Sequence, residues 1–383
     1  MLLDITRIAR PTTFVWLLAG YLGVGAVCSY AMDSLGYAVS IQFVFYTACA
    51  LALYYLGCRY VISIPQRVLL PVFMFAFVIM TFRDAGFYAF AGLAATIAIV
   101  YRWDVVVRRC GIFGAVGVSL LIVNLALSGT IPLLHPEIRY GTQTVMFVFG
   151  YALAFLGTTY MYSRDQRRAS ALAAATFAVL LLYGFRSYLL ILVLSLSIQS
   201  LIMRPPSIRN VSAVLIATVS IVIVLGFIVV ALLPQQLPHT LASLPFYRCG
   251  FTTHMLDEAC RMAGATGRLH GEIWTLSKTS PLIGTMLAKA GNITTTLIGP
   301  FILDGGIFEL PVMVFFGAAM NTVHTRAQKS PAIVPLYAIA FSIMVISVDI
   351  SPVPLIVLMF LLALLIINRC REIESKHVAG YLC

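Results

Sequence analysis

TFVWLLAGYLGVGAVCSY, residues 13–30, carries no charged side chain over eighteen positions and stands just behind Arg7 and Arg10. A hydrocarbon core of about 30 Å takes about 20 helical residues to cross, so this stretch reads as a membrane span. Its basic start resembles that of a secretory signal. It is long for such a signal's apolar region, lacks a small-residue cleavage site and is followed by further apolar runs, so the reading is a retained signal anchor.

Working outward, similar runs occupy 12–32, 38–57, 67–82, 86–101, 111–128, 142–162, 169–183, 186–203, 210–234, 305–323, 331–348 and 352–368. The expected fold is therefore an all-α polytopic membrane protein with about twelve transmembrane helices. Composition agrees: 61% of residues are hydrophobic and only 10% charged, with a mean hydropathy of +0.98. A soluble chain carries roughly 25% charged residues. No water-soluble fold of this size can hide so much apolar surface.

The net charge of +11 would point to nucleic acid if the basic residues clustered in a soluble domain, but they fall singly or in small groups between apolar runs. Nucleic acid is excluded as a partner on that ground. With the N-terminus in the cytoplasm, seventeen cations against five acids fall on the cytoplasmic side, a balance of +12. Eight cations against nine acids fall outside, a balance of −1. Every short inner loop has at least two cations and every short outer loop at most one, as the positive-inside rule requires. The expected localisation is the inner or plasma membrane, multi-pass, with both termini cytoplasmic.

One connection breaks the pattern of short loops. Residues 235–304 lie between the ninth and tenth runs, and a structureless loop of that length is uncommon. The segment is rich in Leu, Phe, Trp and Tyr, and reads as an extracytoplasmic cap. The organisation expected is spans 1–9 over 1–234, the cap over 235–304, spans 10–12 over 305–368 and a cytoplasmic tail over 369–383. Within the cap, SPLIGTMLAKAGNITTTLIGPF (280–301) is apolar but broken by Gly and Pro, which fits an interfacial or re-entrant helix. Cys249 and Cys260 are the two cysteines placed well away from the apolar runs, and in an oxidising compartment they can close a small disulfide loop. No metal-binding or cofactor pattern occurs among the Cys, His and carboxylate residues.

Outer cations work against the orientation signal and so invite a functional explanation. Arg186, in GFRSYLL, stands at the outer end of a run, where it either snorkels, pairs with Asp84 or Asp349, or binds an anion. Arg139, in GTIPLLHPEIRYG (129–141), either pairs with Glu137 or does the same. Two guanidinium forks on one cavity suit a diphosphate, since they match phosphate oxygens and stay charged. RLHGEIWTLSK (268–278) groups Arg268, His270, Glu272 and Lys278 around Trp274. A carboxylate or imidazole there can take a proton from a sugar hydroxyl while the cations hold a leaving phosphate. The bland alternative is a solvated amphipathic helix with its Trp at headgroup level. Arg83, Glu137, His254 and Asp304 are secondary candidates.

GTIPLLHPEIRYG, GFRSYLL and the long outer loop followed by TTTLIGPFILDGGIFELP (294–311) together resemble the Wzy-like polymerases of O-antigen and other oligosaccharide repeat units. The resemblance implies a GT-C-like membrane glycosyltransferase acting on the extracytoplasmic face. Donor and acceptor would be polyprenyl-diphosphate-linked oligosaccharides, with no cofactor, and a chain-length regulator and flippase of the same pathway as partners. It places Arg139 and Arg186 on the diphosphate and Asp304, Gly305 and Gly306 in the polar turn before a late span. His270 and Glu272 as the proton acceptor, and Arg268 and Lys278 as further diphosphate ligands, come from the residues alone. Alternatives are a transporter or flippase of lipid-linked glycans and a ligase moving finished glycan. The scarcity of ionisable residues inside the runs disfavours passage across the membrane.

Overall fold

A computed structural model of the chain describes residues 9–31, 38–135, 141–203, 244–275, 280–287, 293–349 and 353–380. The apolar run 210–234 lies outside the described residues. Among those described there is no strand. The helices are α1 (Thr13–Ala31), α2 (Ile41–Gly57), α3 (Gln66–Ala85), α4 (Tyr88–Tyr101), α5 (Trp103–Arg108), α6 (Cys110–Ser128), α7 (Val145–Tyr162) and α8 (Gln166–Leu182). They continue with α9 (Arg186–Met203), α10 (Leu244–Ala263), α11 (Ser280–Met286), α12 (Ile298–Gly305), α13 (Val312–Ala327), α14 (Val334–Ile346) and α15 (Val353–Gly380).

Six of these are long and apolar enough to cross a bilayer: α1, residues Gln66–Arg83 of α3, α6, α7, α9 and residues Val353–Glu372 of α15. Four shorter apolar stretches, Ile41–Gly57, Tyr88–Tyr101, Ile298–Phe308 and Pro331–Ile346, accompany them. The protein is thus an all-α polytopic membrane protein. Helices are the fit solution for such a sequence because each satisfies its own backbone hydrogen bonds where no water is at hand.

The described residues form two compact units. One comprises residues 95–135, 141–203 and 327–342; the other comprises 9–31, 38–94, 244–275, 280–287, 293–326, 343–349 and 353–380. In the first, α6 and α7 pack at small residues: a Cβ added to Gly157 would sit 2.3 Å from the Cα of Gly114. Small residues let backbones approach closely where lipid offers no hydrophobic drive to association. Phe147, Leu121, Leu180, Tyr183 and Leu189 fill the space beside them. A buried amide in this apolar packing, Asn124, donates to the Tyr183 hydroxyl (2.8 Å) and the Thr142 carbonyl (3.1 Å). Its oxygen accepts from Thr144, whose hydroxyl also caps α7 by accepting from the Phe147 N–H.

In the second unit α10 packs along α1. A Cβ on Gly25 of α1 would meet Thr253 Oγ1 at 1.9 Å, and one on Gly250 of α10 would lie 3.1 Å from the Ser29 nitrogen. Polar side chains pin both ends of α10. Asp257, fully buried, accepts from the Ser40 N–H (3.1 Å) and hydroxyl and pairs with Arg261 (3.2 Å). Ser40 in turn caps α2 through the Phe43 N–H. The non-helical stretch between α2 and α3 is tied down by Asn321, Thr322 and Asn368, which bond the backbones of Tyr60, Ile62 and Ile64. Within the expected cap, Ser280–Met286 is a short helix whose Ile283, with Leu287 just past its end, packs with Met255, Ala259, Ile293 and Leu303.

The Cys249–Cys260 disulfide is not formed. Both residues lie on α10 as free, buried thiols. Eleven residues of helix separate them by about 16 Å, whereas a disulfide needs Cα atoms within about 7 Å. After denaturation without reductant, both cysteines should take up maleimide in full, read by peptide mass mapping. A bridged 249–260 peptide would contradict a continuous α10.

Candidate functional site

The second unit contains a corner where a helix ends among its own sequence neighbours. Helix α12 stops at Asp304 and Gly305, leaving terminal carbonyls without intrahelical donors. The segment 265–275 wraps this end and supplies them. Arg268 and Leu269 donate N–H to the Leu303 carbonyl (2.6 and 3.2 Å), and His270 donates to that of Asp304 (3.1 Å). In return Ile307 donates to Ala265 (3.0 Å).

Such a wrap demands left-handed backbone. Gly267 has φ +71°, and a Cβ there would fall 2.1 Å from the Asp304 carbonyl oxygen, so no other residue fits without displacement. His270 adopts φ +48° although it is not glycine, a conformation that costs energy and is held by its surroundings.

The side chain of Asp304 is the hub. It is fully buried, and its two oxygens accept from the Gly271 N–H (2.9 Å) and the Ile273 N–H (3.4 Å). Beyond it the chain makes the 3-10 turn Gly306–Phe308 and reaches Glu309, which lies before α13 and outside the helices long enough to span. Glu309 Oε1 accepts from the Trp274 indole N–H at 2.9 Å, and the Trp274 ring leans on Phe301 at 5.7 Å. Burial first, and the neighbouring Asp304 carboxyl second, push the Glu309 carboxyl up to about 8, against the Trp274 hydrogen bond.

Around this hub the structure gathers several residues that sequence singled out. Glu272 opens the short 3-10 turn Glu272–Thr275 and lies 3.9 Å from Arg83 at the end of α3, both about half exposed. Arg268 is exposed and its Nε donates to the Met262 carbonyl at 2.5 Å. His270 is exposed on the same turn. Arg83, Arg268, His270, Glu272 and Asp304 thus belong to one corner. The amphipathic helix considered for 268–278 is not what forms there: residues 268–275 make a wrapped turn, because their N–H groups are taken by the end of α12.

The remaining candidates stand elsewhere. Arg186 opens α9 in the first unit, half buried. His254 is on α10 with Nε2 3.7 Å from Glu258 one turn on, away from the Asp304 turn. Arg139, Glu137 and Lys278 lie outside the described residues.

Two features were not assigned a role from sequence. Glu309 was legible only as one more outer acid, with nothing in its neighbours in sequence to show that it meets Asp304 and Trp274. The other is a second polar cluster in the same unit. Asp349, just past α14, accepts from both the Tyr21 hydroxyl (2.7 Å) and the Thr252 hydroxyl (3.0 Å). Arg248 Nε lies 3.1 and 3.2 Å from its two oxygens, and Arg248 Nη2 donates to Thr294 at 2.8 Å. Asp349 therefore has Arg248 as its ion-pair partner.

The family model described as "Putative O-antigen polymerase" matches residues 7–361. The chain belongs to the O-antigen polymerase family. No curated protein and no solved structure matches it. The match runs through both units and includes every residue of the Asp304 corner, and family and membrane-helical fold together support a membrane polysaccharide polymerase.

Gly267→Ala should destabilise the protein by about 1–3 kcal/mol, since it forces both a strained φ and a clash with the Asp304 carbonyl. Thermal unfolding in detergent checks this. An unchanged transition would mean that the wrap is not a fixed part of the native state.

Proposed function

We propose that this O-antigen polymerase family member is a glycosyltransferase that joins lipid-diphosphate-linked repeat units on the extracytoplasmic face of the membrane. In the reaction an acceptor sugar hydroxyl attacks the anomeric carbon of the donor. The bond from that carbon to the diphosphate oxygen breaks, and the polyprenyl diphosphate leaves with the bonding electrons. The hydroxyl proton passes to a base of the protein.

The observation that carries this reading is the gathering of Arg83, Arg268, His270 and Glu272 at the Asp304 corner of a family member. A lipid diphosphate is already an activated leaving group, so the protein has to hold anionic oxygens, orient a hydroxyl and accept one proton. Arg268 and Arg83 supply cations on the rim, with Arg139, Arg186 and Lys278 as the further diphosphate ligands proposed from sequence. His270 and Glu272 are the candidate proton acceptors.

The Arg83–Glu272 pair suits such a role energetically. At 3.9 Å and about half exposed it contributes at most about 1 kcal/mol. A diphosphate can therefore draw Arg83 away at small cost, and the same exchange frees Glu272 to take a proton. The charge pattern of the loops supports the outward placement of this corner. A flippase that delivers the lipid-linked units and a regulator of glycan length are the protein partners this reaction calls for.

The test uses purified protein in liposomes with polyprenyl-diphosphate-linked repeat units. The expected result is a ladder of lengthened glycans with release of the carrier diphosphate; no ladder overturns the polymerase reading, and a single transfer product points to a ligase. Arg139→Ala and Arg186→Ala should each abolish lengthening without loss of protein from the membrane. Replacing the true base, by Glu272→Gln or His270→Gln, should slow lengthening by about 100-fold or more. Wild-type rates in both of the latter variants would remove the base from this turn.

A further inference from the structure

The Asp304 corner brings two carboxyl groups to one turn, and no cation pairs with either among the described residues. Asp304 is fully buried and its oxygens are taken by the Gly271 and Ile273 N–H groups. Glu309 gives Oε1 to Trp274, while its Oε2 is buried with no donor among the described residues. The Glu309 side chain folds back over Gly305, the residue next to Asp304: a Cβ on Gly305 would sit 2.4 Å from Glu309 Cγ. Among the described residues, the other charged or titratable groups of the corner are directed to other partners or to the surface. Arg83 is with Glu272, Arg268 is with the Met262 carbonyl, and His270 is exposed.

A second negative charge beside the buried Asp304 side chain is disfavoured, and a proton on the half-buried Glu309 resolves the conflict. We infer that Glu309 keeps its proton beside Asp304, and that this proton latches the 268–275 turn, with His270 and Glu272 on it, in its working position. Glu309 is thus a positioning residue. Its acid O–H, on Oε2, donates to the Asp304 carboxylate, and Oε1 holds Trp274. Asp304 holds the turn from below through Gly271 and Ile273. Removing the proton puts a second negative charge beside the first, and because both acids hold the same turn, Asp304 through Gly271 and Ile273 and Glu309 through Trp274, their repulsion loosens the turn.

The raised ionisation of Glu309, up to about 8 by burial and Asp304, agrees with this arrangement. The sign follows from proton counting. The native state keeps this proton above pH 4.5, the group's ordinary value, while the unfolded chain releases it. The stabilisation from the latch is therefore complete below that value and is lost as pH rises through about 8.

The positioning role in catalysis rests on the polymerase reading above; the latch itself does not, and the experiment separates them. The chain has three tryptophans, so Trp16→Phe and Trp103→Phe leave Trp274 as the sole reporter in the full-length protein in nanodiscs. Its emission should shift to the red with a midpoint near pH 8, and the shift should vanish on adding Glu309→Gln. That amide mimics the protonated acid: it donates to Asp304 and accepts from Trp274. A shift that persists in Glu309→Gln, or no shift in the reporter protein between pH 6 and 9.5, overturns the latch.

In the liposome assay, wild-type lengthening should fall about tenfold from pH 7 to pH 9, following the fraction still protonated. Glu309→Gln should match the wild type within about twofold at pH 7 and keep that rate at pH 9. Loss of activity in Glu309→Gln at every pH would overturn the positioning role and make Glu309 itself the base. A wild type that forms no ladder at any pH refutes the polymerase reading alone, and the fluorescence titration then still decides the latch.

Discussion

Polar groups that leave the helices of this chain find partners supplied by the protein, and most of its specific geometry follows from that requirement. In water a carbonyl at a helix end is satisfied by solvent at no cost; inside an apolar body the same group costs several kcal/mol if left alone. The end of α12 shows the consequence most fully. Leu303 and Asp304 present carbonyls and a carboxylate, and the 265–275 segment folds back to cover them, at the expense of a left-handed histidine and a glycine that nothing else can replace. The same rule explains why Asn124 sits at the junction of three hydrogen-bonding neighbours, and why asparagine and threonine side chains hold the extended backbone at 60–64.

That covering is also what assembles the proposed site. Residues 268–275 carry a histidine, a glutamate and an arginine, and their placement is fixed by what their backbone N–H groups do rather than by side-chain attraction. The weak, half-exposed Arg83–Glu272 pair is a result of the turn and does little to hold it. A firm backbone frame with exchangeable side chains suits a site that must release its own ion pair to admit an anionic substrate.

Much of the frame was legible in sequence because hydrophobic runs and loop charges depend only on local composition. Many helices fall on the apolar runs among the described residues, although Leu244–Ala263 and Ile298–Gly305 are helices within the segment read as a cap and the run 305–323 is helical only from Val312; the chain's family follows from motifs distributed along it. The candidate site was legible in part. Arg268, His270 and Glu272 are neighbours in sequence and remain neighbours in space. Arg83 was visible as an outer cation and Asp304 through the resemblance, but not as members of the same corner, since they come from helices far apart in the chain. Glu309 and the Arg248–Asp349 pair carried no distinguishing pattern at all, because a single acid beside an apolar helix reads the same whether it meets water, a cation or another acid.

Sequence by itself determined the solvent of this protein: an apolar content of 61% with charges confined to the connections admits only a bilayer. It also determined the helical class, since helices bond their own backbones. Tertiary structure alone decided that Cys249 and Cys260 stand turns apart on one helix, that 268–275 is a wrapped turn instead of an amphipathic helix, and that Asp304 and Glu309 bond the same turn. The physical reason is range. Hydropathy acts on each residue where it stands, whereas a buried carboxyl takes its charge state and its role from atoms that only folding brings near.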